Sequence, residues 1–259
     1  MAQEGLKITI LGSGTSHGVP MIACDCPVCT SRDPHDKRTR TSITIQYDGT
    51  TLLVDTSPEL RLQCVANNVR RVDAVLYTHH HIDHIAGFDD LRRFNWVQEG
   101  PIPCHGLPET LARVRSAFAY AFEELPGHPW ARPRISLREV HGPFEIAGRP
   151  ITPIPLLHGD MPILGYRVGA TAYCTDVSRI PDSSRPLLEG LDLLILEAVR
   201  KRPHPTHFNI EQAVEEAHRI GAKRTLFTHI AHQLGHEETN RALPGGMALA
   251  FDGQVVHAT

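Results

Sequence analysis

Potential metal ligands crowd into residues 78–84, which read Thr-His-His-His-Ile-Asp-His. Imidazole and carboxylate groups are the ligands that zinc, manganese and iron prefer. Alternate residues of an extended segment point the same way, so His79 and His81 could hold one ion together. After the chain turns, Asp83 and His84 could face a second ion. A His-rich polar loop without metal is the alternative, because the chain contains 17 histidines.

The surrounding sequence predicts where these ligands lie. Residues 72–77 are mostly apolar and β-favouring, which predicts a buried strand, and residues 88–98 have a helical pattern. The ligands between them are therefore predicted to lie on a strand-to-helix loop, where α/β proteins usually place their chemistry.

A second cluster consists of cysteines. Cys24, Cys26 and Cys29 could supply three corners of a zinc tetrahedron, with a fourth ligand from elsewhere. Free thiols in a loop are the alternative, although adjacent thiols with nothing to bind are prone to oxidation. Cys64, Cys104 and Cys174 stand singly in apolar surroundings, which predicts core positions.

The pattern H-x-H-x-D-H at residues 79–84 resembles the signature of the metallo-β-lactamase superfamily. Within it, the chain looks most similar to the phosphoribosyl cyclic phosphodiesterases of the carbon–phosphorus lyase pathway and their relatives. The resemblance extends from about Leu11 to about Gly253. Together with two runs of strands followed by helices, it implies an α/β fold: an αβ/βα four-layer sandwich of two packed mixed sheets flanked by helices.

The resemblance also implies a set of site residues. The first metal would be bound by His79, His81 and His158, the second by Asp83, His84 and His229, and Asp176 would bridge the two metals. Asp55 would orient a ligand loop without binding metal, and a turn-forming Asp is the equally good alternative. His232, in the segment Thr228–His232, would complete the cysteine site as a structural zinc. His207 would contact phosphate, with a capping or solvated histidine as the alternative.

This ligand set implies hydrolysis at two metals. A hydroxide bridging two divalent cations (zinc or manganese, or iron) would attack phosphorus, with Asp83 and His207 as catalytic residues. His207 would stabilise the transition state or protonate the leaving oxygen. The expected substrate is a small phosphate ester such as a ribosyl cyclic phosphate. A nuclease of the tRNA 3′-processing type, a thioester or lactam hydrolase, and a non-enzymatic zinc-binding module are the alternatives.

A basic segment lies in the last quarter of the chain. Arg200, Lys201 and Arg202 lead into a helix predicted over 209–220, and basic residues ahead of a helix N-terminus favour an anion. Whether His204 or His207 meets that anion stays open.

Further elements follow from local patterns. Asp48-Gly49 predicts a hairpin over 41–55, and a Pro-initiated apolar stripe predicts a helix over 108–124. Strand-like pieces at 247–251 and 254–257 are expected to close the sheet around Asp252-Gly253. Residues 125–134 predict an irregular connection, with a lid over the site as the alternative. The whole chain, 1–259, is predicted to form a single metallo-hydrolase domain with an N-terminal zinc-binding loop at 24–29.

Composition limits the partners. Hydrophobic content of 41% and charged content of 21% are ordinary for a soluble globular protein, and the net charge of −3 gives no global attraction to nucleic acid or anionic membrane. No apolar run could span a bilayer, and the first residues show no signal-peptide pattern, which predicts a cytoplasmic location. A homodimer is suggested only by the family.

Overall fold

The structure, a computed structural model, describes residues 5–123 and 131–258. Two seven-stranded sheets make up its centre. The first sheet has the order β14-β1-β2-β3-β4-β5-β6, with β1 Leu6–Gly12, β2 Ser42–Tyr47, β3 Thr50–Val54, β4 Ala74–Leu76, β5 Ile102–Gly106, β6 Ile135–Glu139 and β14 Val255–Ala258. The second has the order β13-β12-β11-β10-β9-β8-β7, with β7 Phe144–Ile146, β8 Arg149–His158, β9 Met161–Val168, β10 Thr171–Cys174, β11 Leu193–Glu197, β12 Arg224–Thr228 and β13 Met247–Leu249.

The two sheets share one pairing pattern. In the first, β14, β1, β2 and β3 pair antiparallel, and β3, β4, β5 and β6 pair parallel. In the second, β7, β8, β9 and β10 pair antiparallel, and β10, β11, β12 and β13 pair parallel. Since ligands gather at the carboxyl ends of parallel strands, each sheet offers one such edge to the site.

Helices cover the outer faces. They are α1 Leu60–Ala66, α2 Ile82–Ile85, α3 Leu91–Gln98, α4 Pro108–Ala117, α5 Ile210–Ile220 and α6 His236–Ala242. The helix α5 begins with a capping box, in which the Asn209 side chain accepts from the Gln212 backbone N–H and the Gln212 side chain accepts from the Asn209 N–H. The predicted four-layer αβ/βα sandwich is confirmed.

The core has three layers of packing. Between the sheets, Ile8 and Ile45 of the first meet Tyr166 and Tyr173 of the second. Two further clusters lie between each sheet and its helices, one around α1, α3 and α4 and the other around α5. Cys64, Cys104 and Cys174 are buried in these layers, as predicted. The single-domain organisation of residues 1–259 stays a prediction.

Two predictions of secondary structure were wrong. The pieces at 247–251 and 254–257 do not form one sheet, because β13 pairs with β12 while β14 pairs with β1. Asp252 sits at this crossing between sheets, and its carboxylate accepts hydrogen bonds from the backbone N–H groups of Ser13 and Thr39, which fixes the change of direction. The helix predicted over 108–124 ends at Ala117, and a 3₁₀ turn, Ala119–Phe122, follows it.

Of the other predictions of secondary structure, the hairpin is confirmed and the helix over 88–98 is correct in part. The hairpin at Asp48-Gly49 joins β2 and β3 as expected. The predicted helix over 88–98 begins as a 3₁₀ turn, Ala86–Asp90, that leads into α3. Residues 125–130 of the predicted connection or lid lie outside the described residues. No helix in the described part of the chain is both long and apolar enough to cross a membrane.

Candidate metal centres and active site

The candidate ligands lie where strands end. His79 and His81 follow β4, His158 is the last residue of β8, Asp176 follows β10, and His229 directly follows β12. Asp83 and His84 lie on the short helix α2, which begins directly after His81. His79 and His81 therefore lie on the predicted strand-to-helix connection, whereas Asp83 and His84, predicted on the same loop, lie on the short helix α2.

The structure brings these side chains together in overlapping groups. Ligand atoms of His79, His81 and His158 lie within 4.8 Å of one another, and so do those of Asp83, His84 and His229. Asp176 reaches both groups: its carboxylate oxygens lie 3.9 Å from Nε2 of His79 in the first, and 3.3 Å from Nε2 of His84 and 3.4 Å from Nε2 of His229 in the second. It also forms a group with His79 and His84. This shared position is the one that a bridging carboxylate requires.

Unpartnered nitrogens test whether metals fit here. Nε2 of His79, of His84 and of His229 is buried, and none has a hydrogen-bond partner within the described residues. A buried polar atom without a partner costs about 1–3 kcal/mol, so three of them in one cluster are costly unless something binds them. Divalent cations would satisfy all three lone pairs at once, and the donor set fits zinc, manganese or iron.

The charges of the cluster agree with cation binding. Burial opposes ionisation of Asp176, but His229 and His84 hold the pKa of its carboxyl well below the usual range. Burial likewise opposes ionisation of Asp83, yet the neighbouring imidazoles of His84 and His229 lower its pKa. Burial, followed by the charge of His84, holds the pKa of His79 well below its usual value. The carboxylates are thus ionised and His79 is a neutral donor near neutral pH, as metal ligation requires.

Neighbouring groups fix the imidazole orientations. The Asp55 carboxylate contacts Nδ1 of His84 at 2.8 Å, and the backbone carbonyl of Thr206 lies 2.7 Å from Nδ1 of His158. Each contact engages Nδ1, which leaves Nε2 for a metal. Asp55 was predicted to orient a ligand loop, and it also accepts hydrogen bonds from the backbone N–H and the hydroxyl of Thr78.

Strained backbone accompanies the site. Asp55, Asp176 and His229 have φ of 62°, 59° and 56°, in the left-handed region that non-glycine residues rarely adopt. All three directly or closely follow a strand, so the unusual conformation turns the chain sharply and directs the side chain toward the cluster. Such strain typically costs 1–3 kcal/mol per residue and collects at functional sites.

Glu197 is the site residue that the sequence analysis missed. Its fully buried carboxylate lies 3.0 Å from Nδ1 of His207 and 3.8 Å from Nδ1 of His229, and it accepts the backbone N–H of Phe208 at 2.8 Å. Burial, with the charge of Asp176, holds its pKa well above the usual range. The available signal was a single acidic residue ending an otherwise apolar strand, Leu193–Glu197.

His207, which the resemblance predicts to contact phosphate, lies against the cluster. Its ring centre is 4.5 Å from that of His158 and 5.0 Å from that of His229. Burial, followed by the charge of His229, lowers its pKa to about 4. The ring of His204 packs edge-on against that of His207, with the ring centres 4.7 Å apart, so His204 lies behind His207 in the same wall.

The cysteine cluster also assembles. Nδ1 of His232 lies 3.1, 3.4 and 3.6 Å from the sulfurs of Cys24, Cys26 and Cys29. The Cys29 N–H lowers the pKa of the Cys26 thiol to about 6, while burial raises that of Cys29 to about 11. Cys29 is thus harder to ionise than Cys26, chiefly because it is buried, and a bound zinc ion would favour the thiolate form of both.

A buried arginine fixes the loop that carries both His229 and His232. The Arg38 guanidinium is 2% exposed and donates to the backbone carbonyls of Ala231 and Leu234, at 3.2 and 2.7 Å. It also pairs with Asp36 at 3.0 Å. The two clusters are therefore held in a fixed relation through one loop.

Comparison with known proteins identifies the family. Residues 50–230 match the family described as Beta-lactamase superfamily domain, which is more than half of the chain. The chain belongs to the beta-lactamase superfamily. It is a hydrolase of the metallo-β-lactamase fold, and the family predicted from H-x-H-x-D-H is confirmed.

Individual proteins that are similar to the chain include one solved structure and two relatives of known sequence. A solved structure described as a new diphosphatase from the PhnP family is 43% identical, with a TM-score of 0.93 and 98% coverage of each chain. An octanoyltransferase of Porphyromonas gingivalis is 38% identical over 96% of this chain, which spans only 51% of that protein. A ribonuclease Z of Mycolicibacterium gilvum is 26% identical over 96% of this chain and 92% of its own length.

Proposed function

We propose that this protein is a dinuclear metal-dependent phosphodiesterase that acts on a small phosphate ester, with a cyclic phosphate of the ribosyl type as the preferred candidate. The observation that carries the proposal is the position of Asp176 between the two groups of ligands, 3.9 Å from Nε2 of His79 in the first and within 3.4 Å of His84 and His229 in the second. The similarity to a PhnP-family diphosphatase supports chemistry at phosphorus.

We assign His79, His81 and His158 to the first cation, Asp83, His84 and His229 to the second, and Asp176 to both. Zinc, manganese or iron suits this set, and the site formed by Cys24, Cys26, Cys29 and His232 takes a structural zinc. Two divalent cations, when bound, supply an activated water and neutralise charge that develops on phosphorus.

The side chains of the protein handle the leaving group. Glu197 contacts Nδ1 of His207, so Nε2 is the nitrogen that remains for the substrate. Burial raises the pKa of Glu197 and lowers that of His207, so charge on either group is disfavoured, and we assign one shared proton to the neutral pair. When Nε2–H of His207 gives its proton to the leaving oxygen, the Glu197 proton moves to Nδ1, so the pair acts as one general acid.

A panel of esters tests the proposal. The metal-loaded protein should hydrolyse bis-p-nitrophenyl phosphate and a ribosyl cyclic phosphate, and the Asp176→Ala variant should lose at least about a hundredfold in kcat together with bound metal. A thioester, a lactam and a pre-tRNA complete the panel. Turnover of the thioester or lactam without any phosphodiester activity would refute the assignment, as would full activity of Asp176→Ala with two catalytic metals bound.

A nuclease of the tRNA 3′-processing type is the second candidate, because a ribonuclease Z matches nearly the whole chain at 26% identity. The net charge of −3 disfavours it, since RNA binding depends largely on cationic contacts with phosphates. Faster cleavage of the pre-tRNA than of the small esters would favour this candidate.

A further inference from the structure

Exposed apolar side chains concentrate on the outer face of the first sheet. Among the described residues, eight large apolar side chains are exposed, and half of them lie on two neighbouring helices. They are Leu62 and Val65 of α1, and Trp96 and Val97 of α3, with exposed fractions between 55% and 74%. Since an ordinary surface exposes such side chains singly, this concentration indicates an interaction surface.

A groove separates these two helices. Its volume is about 810 Å³, and its walls are α1, the loop that follows α1, and α3. The buried side chains of Leu60, Cys64 and Phe94 line it from below and belong to the core cluster between the first sheet and its helices. Val65 and Trp96 line it from the exposed side. The groove is therefore a concave apolar channel between two helices, the shape that accepts the apolar side of a third helix.

The rim of this groove is basic. Four guanidinium groups line it, and Asp90 supplies the only carboxylate among the described lining residues. The lining arginines are Arg61, Arg70, Arg92 and Arg93. The whole chain has a net charge of −3, so the excess of positive charge is a local property of this face. A ligand of the groove should consequently be negatively charged beside its apolar surface.

Most of this positive charge is available to a ligand. Within the described part of the chain, no carboxylate forms an ion pair with Arg61, Arg70 or Arg93. Nε of Arg70 donates to the side-chain oxygen of Asn68 at 2.6 Å, and the Arg93 guanidinium lies over the Trp96 ring, 5.2 Å from its centre. These contacts hold the two guanidinium groups at the rim without neutralising them.

Two other occupants fit this surface less well. In a twofold contact between copies of the chain, the same surface meets itself, so the guanidinium groups of one copy would face those of the other. Such like charges across an interface are strongly unfavourable. An anionic membrane also fits less well, because membrane-binding helices insert an outward-facing apolar side, whereas this apolar channel is concave.

We propose that the groove between α1 and α3 is a docking site for an acidic amphipathic helix of another protein. The apolar side of that helix would pack against Val65 and Trp96, and its carboxylates would pair with the arginines of the rim. No candidate metal ligand lines the groove, so the partner would bind without covering the candidate active site. The inference therefore goes beyond the proposed hydrolytic function and does not depend on it.

The test measures the binding of synthetic helical peptides to the metal-loaded protein. Peptides of about five helical turns carry a leucine, isoleucine or phenylalanine face flanked by glutamates, and matched peptides carry lysines in place of the glutamates. By fluorescence anisotropy, the best glutamate peptide should bind about tenfold or more tightly than its lysine counterpart, because only the former is attracted to the arginines. Added salt should narrow this difference, since exposed charges are screened.

Substitutions of apolar residues locate the binding face. Trp96→Ala should weaken the glutamate peptide about tenfold or more, because a large aromatic side chain in a docking surface carries much of the binding energy. Val97→Ser should weaken it severalfold. The matched control is Val255→Ser, the same change at an exposed valine of β14, which should leave the affinity unchanged.

A substitution of charge tests the specificity. Arg61→Gln should lower the preference for glutamate over lysine peptides at least about threefold. Arg202→Gln removes an equal charge at an exposed residue outside the groove and should keep the preference. Unchanged metal content in every variant shows that the fold is retained.

Equal binding of the glutamate and lysine peptides would overturn the proposal, as would binding that Trp96→Ala leaves unchanged. Two further measurements identify the other occupants. Dimers in sedimentation velocity that Trp96→Ala abolishes, with no charge preference among the peptides, would assign the groove to a second copy of the chain. Binding to phosphatidylglycerol vesicles that Trp96→Ala abolishes, again with no charge preference, would assign it to a membrane.

Discussion

The carboxylate of Asp55 lies 2.8 Å from Nδ1 of His84, and both side chains are fully buried. Burial raises the pKa of Asp55, while His84 and the donors of Thr78 oppose that rise. The pair decides which nitrogen of His84 is free for a metal, although Asp55 itself is not among the grouped ligands. We therefore predict that Asp55 affects metal binding only through His84.

Replacing this carboxylate should weaken the catalytic metals selectively. Asp55→Asn keeps the shape but loses the charge that orients His84, so affinity at the catalytic cluster should fall about ten- to a hundredfold. Metal content after dialysis against a weak chelator measures it. The control is Asp73→Asn, a carboxylate that accepts the Thr51 N–H away from the cluster. Unchanged catalytic metal in Asp55→Asn would contradict the role.

The cysteine cluster should bind one zinc independently of the catalytic site. Cys26→Ser removes a thiolate whose pKa is already low, and should eliminate one equivalent of zinc in native mass spectrometry. Cys64→Ser, a buried cysteine outside the cluster, should retain all zinc. Equal zinc content in the two variants would show that the four side chains meet without binding metal.

Glu197 should control kcat through His207. In Glu197→Gln the amide can still hydrogen bond Nδ1 of His207 and the Phe208 N–H, but it carries no proton to relay. We expect kcat to fall about a hundredfold under saturating metal, with KM little changed. The loss should be smallest for esters with good leaving groups such as p-nitrophenolate, which need no proton. Equal loss for good and poor leaving groups would contradict general-acid action by the pair.

His105, which lies outside the candidate metal sites, should make the free energy of unfolding depend on pH. Burial, with the charge of Arg138 as the second cause, lowers its pKa from 6.5 to about 4, and its ring stacks on Phe144 at 4.6 Å. His105 therefore binds a proton more readily in the unfolded chain than in the folded one. Its contribution to the free energy of unfolding is complete above pH 6.5 and decreases as the pH drops toward 4. Because the ring is partly exposed, we expect about 1 kcal/mol of loss between pH 7 and pH 5.

Chemical denaturation of metal-saturated protein at both pH values measures this loss. His105→Gln should reduce the difference between the two free energies of unfolding, whereas His141→Gln, at an exposed histidine, should leave it as it is. An unchanged difference in His105→Gln would show that other groups account for the pH dependence.

The candidate ligands could be named from the sequence because their chemical types and their spacing are local features. The spacing of His79, His81, Asp83 and His84 limits the metals that could bind, and the later His158, Asp176 and His229 follow in family order. Glu197 escaped notice because its role depends on the strand β11 lying beside β10 and β12, which no local pattern encodes.

Long-range pairing explains the remaining errors. The pieces around Asp252 have the local pattern of a hairpin, yet their hydrogen bonds go to β12 and β1, which are distant in sequence. The left-handed backbone at Asp176 is likewise set by the surrounding fold, since an isolated aspartate at a strand end has no reason to adopt it.

The most direct test of two bridged cations is a crystal structure of metal-loaded protein, with anomalous data collected at the absorption edge of each metal. The account predicts two ions about 3.5–4 Å apart, both bound by Asp176, with His79, His81 and His158 on one and Asp83, His84 and His229 on the other, and with open positions toward His207. A single ion closed off on all sides by protein ligands, or ions with no shared carboxylate, would contradict it.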